Sequence, residues 1–168
     1  RQFEYTASVQ PPGELIIDDA DAGFSTSFAQ DAWHEYIEPG GEHYGDTHYY
    51  NQQVGSGGDI AAWSFGIPRP GQYEVYAWWV EGSQRPTEVP YTVNHLGGST
   101  TVRVSQQTNG GQWNLLGTFN FFLGQGSVVL SDDASSGQDI VADAVRVVYL
   151  GPLPPGTLQC IYLPLVVR

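Results

Sequence analysis

Short strand-like segments separated by turn-forming residues fill the central part of this sequence. Each segment is rich in β-branched or aromatic residues, and clusters of glycine, proline, asparagine or aspartate separate it from the next. Many short strands with hardly a helix predict an all-β fold, an antiparallel β-sandwich or jelly roll. The predicted strands are residues 15–17, 47–53, 60–67, 72–80, 90–95, 100–106, 112–122, 127–130 and 140–150.

Two glycine-rich stretches predict turns between neighbouring strands. Gly97 and Gly98 predict a hairpin turn, and residues 124–126 separate the following pair of strands. Only residues 27–37 could host a short helix. Trp63, Trp79 and Trp113 alternate with apolar partners within strands, so we expect these rings in the core.

The chain is predicted to have three parts. Residues 1–12 form a strand-like arm, residues 13–150 a domain, and residues 151–168 a stiff, proline-rich linker followed by a second apolar arm. With 168 residues and 40% hydrophobic content, the chain suits one compact domain. Methionine is absent, so we expect a processed protein or a fragment. Cys160 stands alone, so no internal disulfide can form, and burial is the expected state of its thiol.

The charge balance excludes several kinds of partner. The net charge is -12, and all six basic residues are arginines. Nucleic acids and anionic membrane surfaces attract clustered basic residues, so neither is an expected partner. No apolar run reaches about 18 residues, so no membrane insertion is predicted. Without lysine, Schiff-base chemistry is also excluded.

Several blocks of sequence carry a family resemblance. They are residues 18–25, 71–79, 90–95, 109–119, 130–134 and 141–146. In these blocks, residues 15–150 resemble the golvesin C-terminal-like domain, also described as the xanthan lyase carbohydrate-binding-like domain. The resemblance implies a galactose-binding-like β-sandwich appended to secreted enzymes and surface proteins. It implies no defined ligand or binding site, so the fold carries over better than the function.

The two arms lie outside the region that carries the resemblance. The first alternates apolar and polar side chains, and the second is apolar on both faces, as strands are. Such strands either fold back onto their own domain or add to a sheet edge of a neighbouring copy. Strand exchange that does not close predicts a filament. The candidate assembly residues are Phe3, Tyr5, Ala7, Val9, Leu158, Cys160, Ile161, Tyr162, Leu163, Leu165, Val166 and Val167.

A polar, glycine-containing stretch holds the candidate sugar-binding rings. Exposed aromatic faces stack on the C–H faces of sugars, with polar groups beside them. The candidates are Trp33, Tyr36, Tyr44, Tyr49 and Tyr50. The alternative is that Tyr49 and Tyr50 belong to a strand that turns one of them inward.

Carboxylates near the start of the domain are candidate metal ligands. Asp18, Asp19 and Asp21 are spaced closely enough to hold a structural Ca²⁺, although the spacing does not match an EF-hand loop and a solvated turn is the alternative. Asp143 interrupts an apolar strand, so it needs a partner. Arg103, the backbone amides of residues 18–21 or a calcium ion are the candidates.

Other chemistry has weaker support in the sequence. His43, Asp46 and His48 meet the minimum for zinc, but no spacing pattern enforces such a site. A nucleophile elbow is absent, and His95 is expected to brace the turn at Gly97. Catalysis is therefore not predicted, and no cofactor is expected beyond a possible structural Ca²⁺.

The sequence thus predicts a secreted, non-catalytic building block of the cell surface. Its main expected partners are copies of itself, which its terminal strands would join into a filament or matrix. The alternative is a carbohydrate-binding module that recognises polysaccharide through exposed aromatic rings.

Overall fold

The computed structural model describes residues 13–157, which form an all-β structure. Within this range no helix has the length and apolar character needed to cross a membrane. The strands are β1 (Glu14–Ile17), β2 (Phe24–Ser27), β3 (His34–Ile37), β4 (Thr47–Asn51), β5 (Ile60–Ile67), β6 (Gly71–Ala77), β7 (Val89–His95), β8 (Gly98–Val104), β9 (Asn114–Phe121), β10 (Gly124–Ser131), β11 (Ile140–Ala142) and β12 (Val145–Gly151).

Two large sheets face each other, and a small third sheet lies beside them. The four-stranded sheet has the order β1-β12-β6-β9, and the five-stranded sheet has the order β2-β5-β10-β7-β8. The third sheet, β11-β4-β3, has three strands. Every neighbouring pair of strands is antiparallel. The predicted class, an antiparallel β-sandwich of the jelly-roll type, is confirmed.

Alternating burial along the central strands builds the core. In β5 every second side chain, including Trp63 and Phe65, is buried, because successive residues of a strand point to opposite faces. The rings of Phe65 and Phe121 meet between the two large sheets with centroids 5.8 Å apart. The core positions predicted for Trp63 and Trp79 are confirmed. Trp113 is only half-buried, so that prediction is wrong.

The turn predicted at residues 124–126 is instead the start of β10. Gly126 is buried inside the sandwich, where an added Cβ would lie 2.5 Å from the Phe65 ring and 2.6 Å from the Phe121 ring. This glycine therefore makes room for two core rings. The chain reverses at Phe122 and Leu123, whose side chains are exposed.

The helix predicted for residues 27–37 does not form. This stretch holds the end of β2, a loop and the edge strand β3. The backbone N–H groups of Ala29, Gln30 and Asp31 donate to the buried carboxylate of Asp59. These contacts hold residues 29–31 in a loop against Asp59, and pairing with β4 makes His34–Ile37 a strand instead of a helix.

The predicted strand 140–150 divides into two strands of different sheets. β11 pairs with β4, and β12 pairs with β1 and β6. At the break, the carbonyl of Asp143 accepts the indole N–H of Trp63, and the carbonyl of Ala144 accepts the backbone N–H of Trp78. Asp143 therefore lies where the chain changes sheets. The predicted arms and Cys160 lie outside the described residues, apart from the linker up to residue 157.

Candidate functional site

The five aromatic side chains predicted to bind sugar do not share one surface. Trp33 is buried, and Tyr49 packs against Phe24 with ring centroids 5.1 Å apart. Tyr36 and Tyr50 lie on the opposite face of the three-stranded sheet, because their cross-strand partners are His48 and His34. The prediction that the Trp33 ring is exposed is therefore wrong. For Tyr49 and Tyr50, the alternative that one ring turns inward is correct, and that ring is Tyr49.

Tyr36 and Tyr50 line a cleft of about 420 Å³, which we call the Tyr36 cleft. The small sheet supplies one wall, and loops after β6 and before β11 supply the other. Its lining is Tyr36, Glu38, His48, Tyr50, Gln52, Val80, Arg85 and Asp139. Aromatic faces therefore lie beside both hydrogen-bond donors and acceptors.

Arg85 places a positive charge in the wall of the Tyr36 cleft. Its guanidinium donates to the backbone carbonyl of Asp139 at 3.1 Å, while its own carbonyl accepts the side-chain amide of Gln107 at 2.8 Å. Burial lowers the pKa of the Arg85 guanidinium, and the carboxylates of Asp139 and Glu42 oppose that shift. The net shift is downward, and Arg85 still carries its positive charge because a guanidinium is not deprotonated in proteins.

His48 forms a neutral part of the same lining. Burial lowers the pKa of His48 to about 4, and the charges of Arg85 and His43 act in the same direction. A neutral imidazole carries one N–H donor and one acceptor nitrogen. The Tyr36 ring packs over it with centroids 5.1 Å apart.

Tyr44 belongs to a second aromatic group outside the cleft. With Trp78 and Trp113 it forms the aromatic trio, whose ring centroids are 5.1 to 5.7 Å apart. The three rings are half-buried. The Arg146 guanidinium lies 5.8 Å from the Trp113 ring. Glu42 lies between the trio and the cleft, because its carbonyl accepts the Trp78 indole N–H and its carboxylate acts on the charge of Arg85.

Three carboxylates converge beneath the loop that carries Tyr44, and we call Asp18, Asp19 and Asp143 the acidic cluster. One carboxylate oxygen from each of them lies within 4.8 Å of the others. Burial raises the pKa of Asp143 to about 9 and that of Asp19 to about 7. Asp21 lies outside the cluster, and its carboxylate accepts the backbone N–H of Asp18.

Asp143 has a partner that the sequence did not indicate. Both carboxylate oxygens accept the backbone N–H of Tyr44, at 3.2 and 3.1 Å. The predicted partner Arg103 instead pairs with Asp133 at 2.6 Å, so that prediction is wrong. The backbone amides of residues 18–21 were the other predicted hydrogen-bond donors to Asp143. The donor is instead the amide of Tyr44, because the loop of residues 38–46 passes over the acidic cluster.

The remaining histidines have structural contacts. The rings of His43 and His48 lie 5.8 Å apart, and Asp46 does not complete a group of three metal-binding side chains with them. The His95 ring contacts the Leu96 carbonyl and the Thr100 hydroxyl, each at 2.9 Å. His95 therefore braces the β7–β8 hairpin, as its position predicted.

Sequence reasoning missed five of the eight residues that line the cleft. Arg85 and Asp139 are far apart in sequence, and both lie in loops without a motif. Arg85 offered one signal: it is one of six cationic side chains in a chain of net charge -12. No comparable signal marked Glu38 or Gln52.

Several known proteins are similar to this chain in sequence or fold. The family model of the Golvesin C-terminal domain matches residues 15–149. Xanthan lyase of Bacillus sp. (strain GL1) is 32% identical over 156 residues, which are 88% of this chain and 16% of that protein. The structure of Paenibacillus xanthan lyase has a TM-score of 0.75 at 34% identity, covering 82% of this chain and 13% of that one. Xyl-CBM35, solved with a glucuronic acid-containing disaccharide, has a TM-score of 0.57 at 18% identity, covering 82% of this chain and 94% of that one.

The fold and its loop-built cleft define a jelly-roll β-sandwich module of the architecture found in family 35 carbohydrate-binding modules. The chain belongs to the golvesin C-terminal domain family. It spans only 16% of the xanthan lyase of Bacillus sp. and 13% of the Paenibacillus xanthan lyase chain.

These comparisons contradict the main functional prediction. A self-assembling filament subunit was expected, but the matched residues resemble a xanthan lyase domain and carbohydrate-binding modules. The expectation of copies of itself as partners has no support among these relatives. The alternating pattern of the arms led to the wrong prediction because a strand-like arm can equally pack on its own domain or pair with a neighbouring copy. Both arms lie outside the described residues.

Proposed function

We propose that this chain is a non-catalytic carbohydrate-binding module that holds a polysaccharide outside the cell in the Tyr36 cleft. The observation that carries the proposal is the composition of that cleft, in which two tyrosine rings lie beside polar side chains. Membership of the golvesin C-terminal domain family supports it. A secreted or cell-surface location is part of the proposal, since such polysaccharides are found there.

The cleft offers the chemistry that sugar recognition needs. Aromatic faces contact the apolar C–H faces of a sugar ring, and polar groups fix its hydroxyls. Tyr36 is 44% exposed, so its ring is accessible. Glu38 and Asp139 supply acceptors and Arg85 supplies donors, while the buried Nδ1 of His48 leaves only its other ring nitrogen for a ligand.

The charge of the cleft favours uncharged sugar units. Two carboxylates, Glu38 and Asp139, face one guanidinium, Arg85, in a chain of net charge -12. An acidic sugar would meet net repulsion there, whereas hydroxyls donate readily to carboxylates. The disaccharide bound to Xyl-CBM35 contains glucuronic acid, so a uronate is the competing ligand in the test.

Substitution of the two tyrosines tests the proposal. We expect Tyr36→Ala and Tyr50→Ala each to weaken polysaccharide binding about 30-fold, because loss of an aromatic anchor costs about 2 kcal/mol. Affinity electrophoresis in xanthan and in a neutral β-glucan, followed by calorimetry with oligosaccharides, measures the loss. The neutral ligand should bind more tightly than the uronate-containing one.

Phe28→Ala provides the matched control. Phe28 is 64% exposed and lies outside the cleft lining, so its loss should leave binding unchanged. Equal binding by wild type, Tyr36→Ala and Tyr50→Ala would reject the cleft. Loss of binding in Trp113→Ala alone would instead move the site to the aromatic trio.

A further inference from the structure

Strand pairing brings the acidic cluster together. Asp18 and Asp19 directly follow β1, and Asp143 lies just before β12. β1 and β12 pair in the register Ile17 to Val145, so the loop after one strand meets the residues before the other. The three carboxylates are therefore placed by the core of the sandwich, not by a mobile surface turn.

The surroundings of the cluster do not balance its charge. Its carboxylates accept the Thr47 hydroxyl and the backbone N–H groups of Asp19 and Tyr44, and the nearby His43 ring lowers the pKa of Asp18. Between residues 13 and 157, the ion pairs are Arg103 with Asp133 and Arg146 with Glu14, and neither reaches the cluster. Buried carboxylates of like charge are costly unless a cation or protons compensate them.

The buried carboxylate of Asp19 is hydrogen-bonded through only one of its two oxygens. Its side chain is only 6% exposed, and its Oδ1 accepts the Thr47 hydroxyl at 3.0 Å. The other oxygen, Oδ2, is buried and has no hydrogen-bond partner. Burying a carboxylate oxygen without a hydrogen-bond donor costs free energy, and a bound cation would remove that cost.

We propose that Asp18, Asp19 and Asp143 bind one Ca²⁺ ion. Oxygens on opposite sides of a calcium ion lie about 4.6–5.2 Å apart, because each Ca–O distance is about 2.3–2.6 Å. One oxygen from each of the three carboxylates lies within 4.8 Å of the others, so a single ion can contact all three. All three ligands are hard carboxylate oxygens, whereas zinc sites favour nitrogen and sulfur.

The ion would hold the loop that borders the functional surface. Asp143 accepts the backbone N–H of Tyr44, and the Gly45 backbone lies so close to Asp18 that an added Cβ would be 2.6 Å from its Oδ2. A cation in the cluster thus fixes the loop after β1, the 38–46 loop and the start of β12 to one another.

Calcium titration of the chelated protein tests this site without any carbohydrate. We expect one ion to bind in calorimetry, and Ca²⁺ at about 100 times its Kd to raise Tm by about 5–10 °C over EDTA. Tb³⁺ should luminesce on tryptophan excitation, because the Trp63 indole N–H donates to the Asp143 carbonyl at 3.0 Å. Added Ca²⁺ should quench that signal by competition.

Three variants make the assignment specific. Asp19→Asn and Asp143→Asn should fold in EDTA, because they remove repulsion, but should lose the calcium-dependent rise in Tm. Asp21→Asn, outside the cluster, should respond like wild type. If Asp143→Asn does not fold, Asp19→Asn decides. If Ca²⁺ leaves the Tm of wild type unchanged and Tb³⁺ gives no signal, the proposed site is wrong. It is also wrong if Ca²⁺ raises the Tm of Asp19→Asn as much as that of wild type. If Mg²⁺ raises the Tm as much as Ca²⁺ does, the site is not specific for Ca²⁺.

Discussion

Replacing Asp59 with alanine is expected to lower the free energy of unfolding by about 3 kcal/mol. Asp59 is fully buried, and its carboxylate accepts three backbone N–H groups, from Ala29, Gln30 and Asp31. The side-chain amide of Asn51 adds a fourth donor at 3.3 Å. Hydrogen bonds to a charged group are worth about 1.5–3 kcal/mol each, and water replaces part of them in the variant. Urea unfolding followed by tryptophan fluorescence measures the loss.

Asp133→Ala is the matched control for Asp59→Ala. Asp133 also bears a carboxylate, but its side chain is 53% exposed and its partner is Arg103 at the surface. Exposed ion pairs contribute about 0–1 kcal/mol, so this variant should stay close to wild type. Similar losses in both variants would show that the Asp59 network has no special role.

The contribution of Asp59 should also depend on pH. Burial raises the pKa of Asp59, but the N–H groups of Gln30, Ala29 and Asp31 outweigh it and hold that pKa below its ordinary 3.8. A carboxyl with a lowered folded-state pKa stabilises the fold above its unfolded value and loses this effect as pH falls through the folded value. The stability gap between wild type and Asp59→Ala should therefore be full above pH 3.8 and shrink at lower pH.

The central strands were predictable because their burial is a local pattern. In β5 and β6 the alternation of apolar side chains in the sequence matches alternating burial in the structure. β3 carried no such pattern, since all four of its residues are exposed on an edge. Its conformation depends on pairing with β4 and on Asp59, and neither can be inferred from nearby sequence.

The sequence predicted those residues of the candidate site that lie close together along the chain. The aromatic-rich stretch indicated Tyr36 and Tyr50, but only strand register separates them from Tyr49. Arg85 and Asp139 reach the same cleft through loops that fold together over long separations. Asp143 stood out as a carboxylate in an apolar strand, yet its place beside Asp18 follows from the pairing of β1 with β12.

Gln106→Leu is expected to destabilise the fold by about 4 kcal/mol. The Gln106 side chain is fully buried and acts like a short strand beside β11. Its amide N–H donates to the Val141 carbonyl at 2.7 Å, and its oxygen accepts the Val141 N–H at 2.9 Å. The same amide nitrogen donates to the Tyr91 hydroxyl at 3.2 Å. Leucine fills a similar volume but leaves these buried groups unpaired, at about 1–3 kcal/mol each.

The adjacent glutamine separates this effect from a general cost of the substitution. Gln107 is half-buried, and its amide donates one hydrogen bond, to the Arg85 carbonyl at 2.8 Å. Gln107→Leu should therefore cost only about 1 kcal/mol in the same urea titration. In a Tyr91→Phe background, Gln106→Leu should lower the free energy of unfolding by less than it does in wild type. The reason is that the Tyr91 hydroxyl, which Gln106→Leu would leave unpaired, is already absent. Equal costs for the two glutamines, or strict additivity with Tyr91→Phe, would contradict a buried network centred on Gln106.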